Sequence, residues 1–278
     1  MPDWIAVILL GIIEGITEFL PVSSTAHLLI AEKLFKMFGW LRDSHWLVAA
    51  SSQKDLFNIV IQSGAVLAVI PLFHQRFHQF LFRWREKATQ DYALKILFAF
   101  ALTGAGGFAL EKGGFKLPEK LLPVAVAMFL GGVAFLVIER WLKGRELKNE
   151  VTWAVAAAVG IGQLVAAIFP GTSRSGACIL LCLLFGLNRP AATEFAFLVG
   201  IPTMLAAGGL KIFKALHHPI AGTPQEQWSM VLLSFVVAAI VSFIAVKWLL
   251  RYVQTHTFNV FGWYRIAAAA SLLLLALR

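Results

Sequence analysis

The sequence predicts an all-α polytopic membrane protein. It reads as one membrane domain over residues 1–278, made of two inverted-topology repeats, 1–140 and 141–278, each a re-entrant helix hairpin plus three transmembrane helices. Three observations predict this. The chain is 59% hydrophobic and only 14% charged, where a soluble domain carries about 25% charged residues. Disorder needs low hydrophobicity and is excluded; 59% apolar is also too rich for a membrane β-barrel, whose strands alternate apolar with polar. Apolar runs recur along the chain, several near the ~20 residues a spanning helix needs. Finally, two runs break into short polar motifs that resemble each other, with no charged loop between the break and the next apolar stretch.

The elements follow in order. Run 4–20 leads into Pro21-Val-Ser-Ser-Thr-Ala-His27, and a short stretch, 28–38, begins at once. Runs 57–73 and 121–138 are long enough to span; 95–110, between them, must borrow flanking residues. Run 152–169 leads into Pro170-Gly-Thr-Ser-Arg-Ser-Gly176 and the short stretch 177–187. Runs 194–213, 229–250 and 259–277 complete the chain, and 74–94, 111–120, 139–151 and 214–228 are polar connections. Trp4, Trp84, Trp141, Trp153, Trp228, Trp248 and Trp263 sit at run ends, as interfacial anchors do.

Shifting the second broken segment back by 149 positions lays Gly160 on Gly11, Gln163 on Glu14, Pro170 on Pro21 and Ser173 on Ser24. Three spans per half is an odd number, so the second half enters from the opposite side and the hairpin tips meet near the midplane, an arrangement known from transporters. One side then holds about 12 Lys/Arg against about 10, which places it in the cytoplasm and both termini outside.

The net charge of +9 is explained by short loops facing an anionic leaflet. No basic face remains outside them, so no nucleic-acid partner is expected. Cys178 and Cys182, at i, i+4 in an apolar run, read as buried thiols and not as a redox or zinc pair. His74, His78, His217 and His218 read as interfacial, with no zinc set among them. The amino terminus lacks a cationic n-region and reads as mature sequence.

Irregular backbone at membrane depth is tolerated only where it is buried in protein or lines a wet cavity, so the two breaks mark a site. Glu14 and Glu18 share one helix face. A carboxylate at the membrane centre costs about 2.5–3.5 kcal/mol, and two side by side call for a shared proton or cation. The bland alternative is a pair of helix-end carboxylates among headgroups. Ser23, Ser24, Thr25 and His27 follow directly. One hydroxyl is explained as an N-cap; three beside a histidine suit a nucleophile with a base, Ser24 with His27 or Glu18. Arg174 stands between Ser173 and Ser175 at the start of a half-helix, where its planar fork and the free amides favour phosphate. Gly171 and Gly176 allow close backbone approach; the alternative for Arg174 is a snorkelling juxtamembrane arginine. Carboxylates with waters suit Mg²⁺ or Ca²⁺, held by Glu14 and Glu18. Glu14, Glu18 and Arg174 are the charges that loops and span ends leave unexplained.

Glu14-Gly-Ile-Thr-Glu-Phe-Leu-Pro-Val-Ser-Ser-Thr-Ala-His27 and Pro170-Gly-Thr-Ser-Arg-Ser-Gly-Ala-Cys178 closely resemble the two signatures of the undecaprenyl-diphosphate phosphatase family, the bacitracin-resistance type. The likeness extends to Phe57-Asn-Ile-Val-Ile-Gln-Ser-Gly64, Glu194-Phe-Ala-Phe-Leu and Tyr264-Arg265, and covers nearly the whole chain. It implies hydrolysis of a polyprenyl diphosphate lipid to the monophosphate and inorganic phosphate. It also implies dependence on a divalent cation, a multi-pass place in the bacterial inner membrane and a site facing outward. Carried over by position, Ser24 is the proposed nucleophile, Glu14 and Glu18 the acidic pair, His27 the motif histidine and Arg174 the phosphate-binding arginine. Thr25 and Ser173 are supporting hydroxyls; with Ser23, Ser175 and Gly176 they complete the expected substrate contacts. Ala26 stands where glycine is usual, Cys178 where threonine is usual and Asn58 where an acidic residue is common.

A transporter or flippase of a polyprenyl phosphate lipid is the competing reading, since broken helices and inverted repeats are transporter features. Such a protein has no need of a serine–histidine–glutamate cluster. A two-histidine lipid phosphatase does not fit, because only His27 lies in a suitable motif. The sequence leaves open attack by Ser24 or by water, the metal, and whether the chain forms a homodimer.

Overall fold

A computed structural model describes residues 2–40, 51–114, 120–217 and 227–276. In chain order the helices are α1 (Asp3–Thr17), α2 (Ser24–Met37), α3 (Ser51–Val69), α4 (His74–Phe82), α5 (Lys87–Lys112), α6 (Leu121–Leu142), α7 (Trp153–Ile168), α8 (Arg174–Leu184), α9 (Arg189–His217), α10 (Trp228–Tyr252) and α11 (Asn259–Ala276). A 3₁₀ turn, Ile70–Phe73, joins α3 to α4. No strand forms among the described residues.

Among the described residues five stretches are long and apolar enough to cross a membrane: Phe57–Phe82, Lys87–Lys112, Leu121–Leu142, Arg189–Leu210 and Trp228–Tyr252. Run 95–110 borrows residues as expected, mostly on its amino side, and becomes the 26-residue α5. The run 259–277, expected to span, is described over Asn259–Leu275 as one of the shorter apolar helices. The connection 74–94 is also not a plain loop, because α4 carries the helix on to Phe82. Outward faces are apolar (Leu97, Leu130, Val137, Leu232, Ile240 and Ile244 are exposed), as lipid contact requires.

Packing links the chain's two halves crosswise. Helix α1 lies on α10, and α7 lies on α5; α10 in turn packs on α3 and α5 on α9, while α6 pairs with α11. Small residues make the first two contacts close. A β-carbon at Gly11 would fall 2.7 Å from Ser234 O, and one at Gly15 2.7 Å from Ala238 O. Ser234 Oγ donates to Val7 O at 2.8 Å across this seam. On the other side Thr103 Oγ1 donates to Gly160 O at 3.2 Å, and a β-carbon at Gly160 would lie 3.1 Å from Ala99 O.

The breaks are built alike. Ser23 and Ser173 are the non-glycine residues with positive φ among those described, 75° and 68°. Each caps the helix that follows: Ser23 Oγ accepts from Ala26 N at 3.4 Å, and Ser173 Oγ accepts from Gly176 N at 3.2 Å. Left-handed backbone at serine is sparsely populated, and the cap hydrogen bond offsets part of its cost. The caps correct the register of the sequence comparison. Up to the prolines the shift is 149, but Ser173 matches Ser23, not Ser24, because the second break carries an extra residue beside Gly171. Gly171 has φ +98°, and a β-carbon there would sit 2.3 Å from Val124 O, so only glycine fits.

The far end of α6 is tied by Glu139, a buried carboxylate that pairs with Arg189 Nε at 2.9 Å and accepts Phe258 N at 2.8 Å. These bonds connect α6 to the starts of α9 and α11, and so set where α11 runs past the breaks. Removing Arg189 would leave the buried Glu139 charge uncompensated, the costly case for such pairs.

Candidate active site

Glu18 ends α1 and still has helical φ and ψ, so its side chain stays on the Glu14 face. Burial leaves it 5% exposed. Both carboxylate oxygens are engaged: Oε2 accepts from Ser24 Oγ at 2.6 Å, and Oε1 accepts from Arg174 Nη2 at 3.3 Å. Ser24 is the first residue of α2 and Arg174 the first residue of α8. One carboxylate therefore joins the starts of both second half-helices, across a chain separation of 156 residues.

The rest of the cluster supports that junction. Ser175 Oγ donates to Leu20 O at 3.2 Å and sits 3.2 Å from Ser173 Oγ, tying the second break to the first. The Arg174 guanidinium also lies over the Phe19 ring, 5.8 Å from its centroid. Two buried atoms in the cluster lack a hydrogen-bond partner: Arg174 Nη1 and Glu14 Oε2. Buried polar atoms are rarely left so, and these two have the chemistry to meet an anion and a cation. Thr25 is exposed. Cys178 is buried and turns its thiol to Val159 O at 3.7 Å.

His27 stands one turn beyond Ser24, on the same face of α2. Its Nδ1 lies 2.7 Å from Ser23 O and its Nε2 2.6 Å from Tyr264 Oη. The structure thus gathers Glu14, Glu18, Ser23, Ser24, His27, Ser173, Arg174, Ser175 and Gly176 around the two breaks. Glu194 is engaged elsewhere, with Arg76 at 2.6 Å and Tyr92 at 3.3 Å.

Sequence reasoning gave Arg265 no role in the site, although it stands in the Tyr264-Arg265 pair that carries part of the family resemblance. It is fully buried on α11, and its guanidinium donates to five backbone carbonyls. Nη1 reaches Pro21 O of the first break at 3.1 Å; Nη2 reaches Gly171 O at 3.2 Å and Thr172 O at 2.9 Å in the second. Nε bonds Met128 O at 3.2 Å and Nη2 also bonds Ala127 O at 3.5 Å, both on α6. Gly131 makes room for it, since a β-carbon there would fall 2.2 Å from Nη2. A signal exists for it in the chain: an arginine inside an apolar run is a functional-site hypothesis by default. Gly200 was missed as well, and a β-carbon there would lie 2.0 Å from Arg174 Nη1.

Fold and site together define a class: an integral-membrane helical protein whose buried polar chemistry is gathered where two interrupted helices meet. The model of the bacitracin resistance protein BacA family matches residues 7–271. The chain is 46% identical over 273 residues to an undecaprenyl-diphosphatase of Rhizobium etli strain CIAT 652, an overlap that covers 98% of this chain and 96% of the relative. It is also 46% identical over 275 residues to an undecaprenyl-diphosphatase of Xanthomonas euvesicatoria pv. vesicatoria, covering 99% and 97%. The chain belongs to the bacitracin resistance protein BacA family.

Proposed function

We propose that the chain hydrolyses undecaprenyl diphosphate to undecaprenyl phosphate and inorganic phosphate, and so recycles a cell-wall lipid carrier. The observation that carries the reading is the Ser24–Glu18–Arg174 junction, with a nucleophile already bonded to a base and a buried guanidinium nitrogen, Nη1, left without a hydrogen-bond partner. The terminal phosphate is held by Arg174 Nη1, with the positive ends of α2 and α8 favouring its charge. Ser24 Oγ attacks the terminal phosphorus in line while its proton passes to Glu18 Oε2. The bond to the bridging oxygen breaks, and undecaprenyl phosphate leaves. Water then cleaves the phosphoserine, giving its proton to His27, while Glu18 returns its proton to Ser24 Oγ. Direct attack by water on the same bound phosphate is the variant, and trapping a phosphoserine at Ser24 separates the two.

A divalent cation, Mg²⁺ or Ca²⁺, belongs to this reading. The unpartnered Glu14 Oε2 beside Glu18 is a hard oxygen donor of the type such ions take. Glu14 and Glu18 would hold the ion, and when bound it supplies positive charge against the diphosphate. Purified protein should release phosphate from the diphosphate lipid and stop when a chelator is added; no release from any diphosphate lipid would sink the reading.

Gly200→Ala tests the arginine's pose without touching a charge. The new methyl must displace Nη1, so kcat/KM should fall about a hundredfold, the usual result of a misplaced catalytic group. The melting temperature should move little. Wild-type kinetics from this variant would show that the pose of Nη1 is irrelevant.

The two-repeat architecture belongs to the same reading. Crosswise packing of α1 on α10 and of α7 on α5, together with matching serine caps, supports inverted repeats. Helices α2 and α8, of 14 and 11 residues, are about 21 and 16 Å long, too short for a core about 30 Å thick, which supports re-entrant hairpins. We place the protein in the bacterial inner membrane, with the site open to the outer side.

A further inference from the structure

His27 has no carboxylate to orient it, unlike the histidine of a serine–histidine–aspartate triad. Its two nitrogens are held by other groups. Nδ1 is 2.7 Å from Ser23 O, and a carbonyl only accepts, so Nδ1 carries the hydrogen. The left-handed backbone at Ser23 is part of the turn that presents this carbonyl at the foot of α2. In the neutral ring Nε2 is then the lone-pair nitrogen. It lies 2.6 Å from Tyr264 Oη, which donates to it. The rings are parallel, with centroids 5.6 Å apart and planes inclined by 3°. Tyr264 is 47% exposed, so one side of it meets His27 and the other opens outward. Its neighbour Arg265 is locked to both breaks, which fixes where Tyr264 stands.

We propose that Tyr264 is a positioning residue of the reaction: it holds His27 Nε2 as the one proton-accepting atom of the ring and links it to water at the mouth. The proposal rests on the phosphatase reading. When water attacks phosphorus, or cleaves a phosphoserine, its proton enters at Tyr264 Oη, which passes its own hydrogen to Nε2. Nε2–H then donates to Tyr264 Oη, and the hydrogen that the tyrosine gained points away from the ring. One hydrogen bond reverses direction and the ring plane is kept. When the imidazolium gives its proton up, the bond returns to its first direction.

Tyr264→Phe keeps the stacked ring and removes the hydroxyl at a half-exposed position, where the fold tolerates the change. Its kcat should fall about tenfold, the upper range for losing one hydrogen bond, with KM unchanged because Arg174 still holds phosphate. A second readout needs no turnover. Diethyl pyrocarbonate acylates an uncovered imidazole nitrogen, so His27 in Tyr264→Phe should react about fivefold faster, as follows from loss of that bond. Mass spectrometry reads the rate, with His74 and His256 as internal controls. Unchanged kcat overturns the proposal; so does a lower kcat with an unchanged His27 acylation rate, which would mean that Tyr264 acts by another route. If the wild-type protein released no phosphate, the functional reading alone would fall, because the acylation rates still decide whether Tyr264 covers Nε2.

Discussion

Arg174→Ala should lower kcat/KM for the diphosphate lipid by about a thousandfold, in the upper range for removing a donor that stabilises a transition state. The change removes two things together. It takes away the unpartnered Nη1, the group proposed to hold the phosphate, and the Nη2 partner of Glu18 Oε1. Glu18 is left with one hydrogen bond in a buried place, so the base changes along with the binding group. Arg174→Lys retains charge but not the fork that reaches Glu18 and phosphate together, and should recover only a small part of the loss. The melting temperature of both variants should fall by less than that of Arg265→Leu, since Arg174 gives up a single side-chain hydrogen bond and α8 keeps its Ser173 cap. Near-normal phosphate release from purified Arg174→Ala would remove this arginine from the mechanism.

Arg265→Leu should fail differently. Five carbonyls, from both breaks and from α6, lose their donor inside the protein, and each unpaired group costs about 1–3 kcal/mol. Some relax or find water, so a net loss of about 3–5 kcal/mol is expected. For a chain of this size that lowers the melting temperature by roughly 10 °C. Activity should be lost with it, because Pro21, Gly171 and Thr172 set the approach of Ser24 and Arg174. Arg265→Lys keeps the charge but not the planar reach to three segments, and should fall between. The contrast separates the two arginines: the Arg174 variant loses activity with the smaller loss of stability, and the Arg265 variant loses both. A wild-type melting curve for Arg265→Leu would mean that the breaks are held by something else.

Much of the site is legible in the sequence. Glu14, Glu18 and Arg174 stand out because membrane residence explains most other charges and not these. Ser24 and His27 stand out by following the glutamates inside a break. The same logic reaches Arg265, which also sits within an apolar run, but no polar motif surrounds it to draw the eye. The partners of Arg265 are backbone carbonyls, which carry no residue identity and leave no mark in a sequence. Gly200 is silent for a related reason: what matters there is the absence of a side chain beside a residue that is distant in the chain. The register of the two breaks differs by one residue, after the prolines, from the one the sequence suggests. Serines and threonines fill both motifs, and residue type alone does not say which hydroxyl is the cap.

The membrane character, the helical class, the two interrupted segments, the family and the candidates Glu14, Glu18 and Arg174 all follow from sequence alone. These are local properties, since hydropathy, proline–glycine breaks and capping residues act over a few turns of helix. Tertiary packing is what brings Glu18 onto both Ser24 and Arg174, sets Tyr264 against His27, and lets one buried arginine tie both breaks to α6. Apart from the short Glu18–Ser24 link, each of these contacts joins segments far apart in the chain or bonds to featureless backbone. Their geometry depends on how closely the helices pack, which glycines such as Gly11, Gly15 and Gly131 set by leaving no room for a side chain.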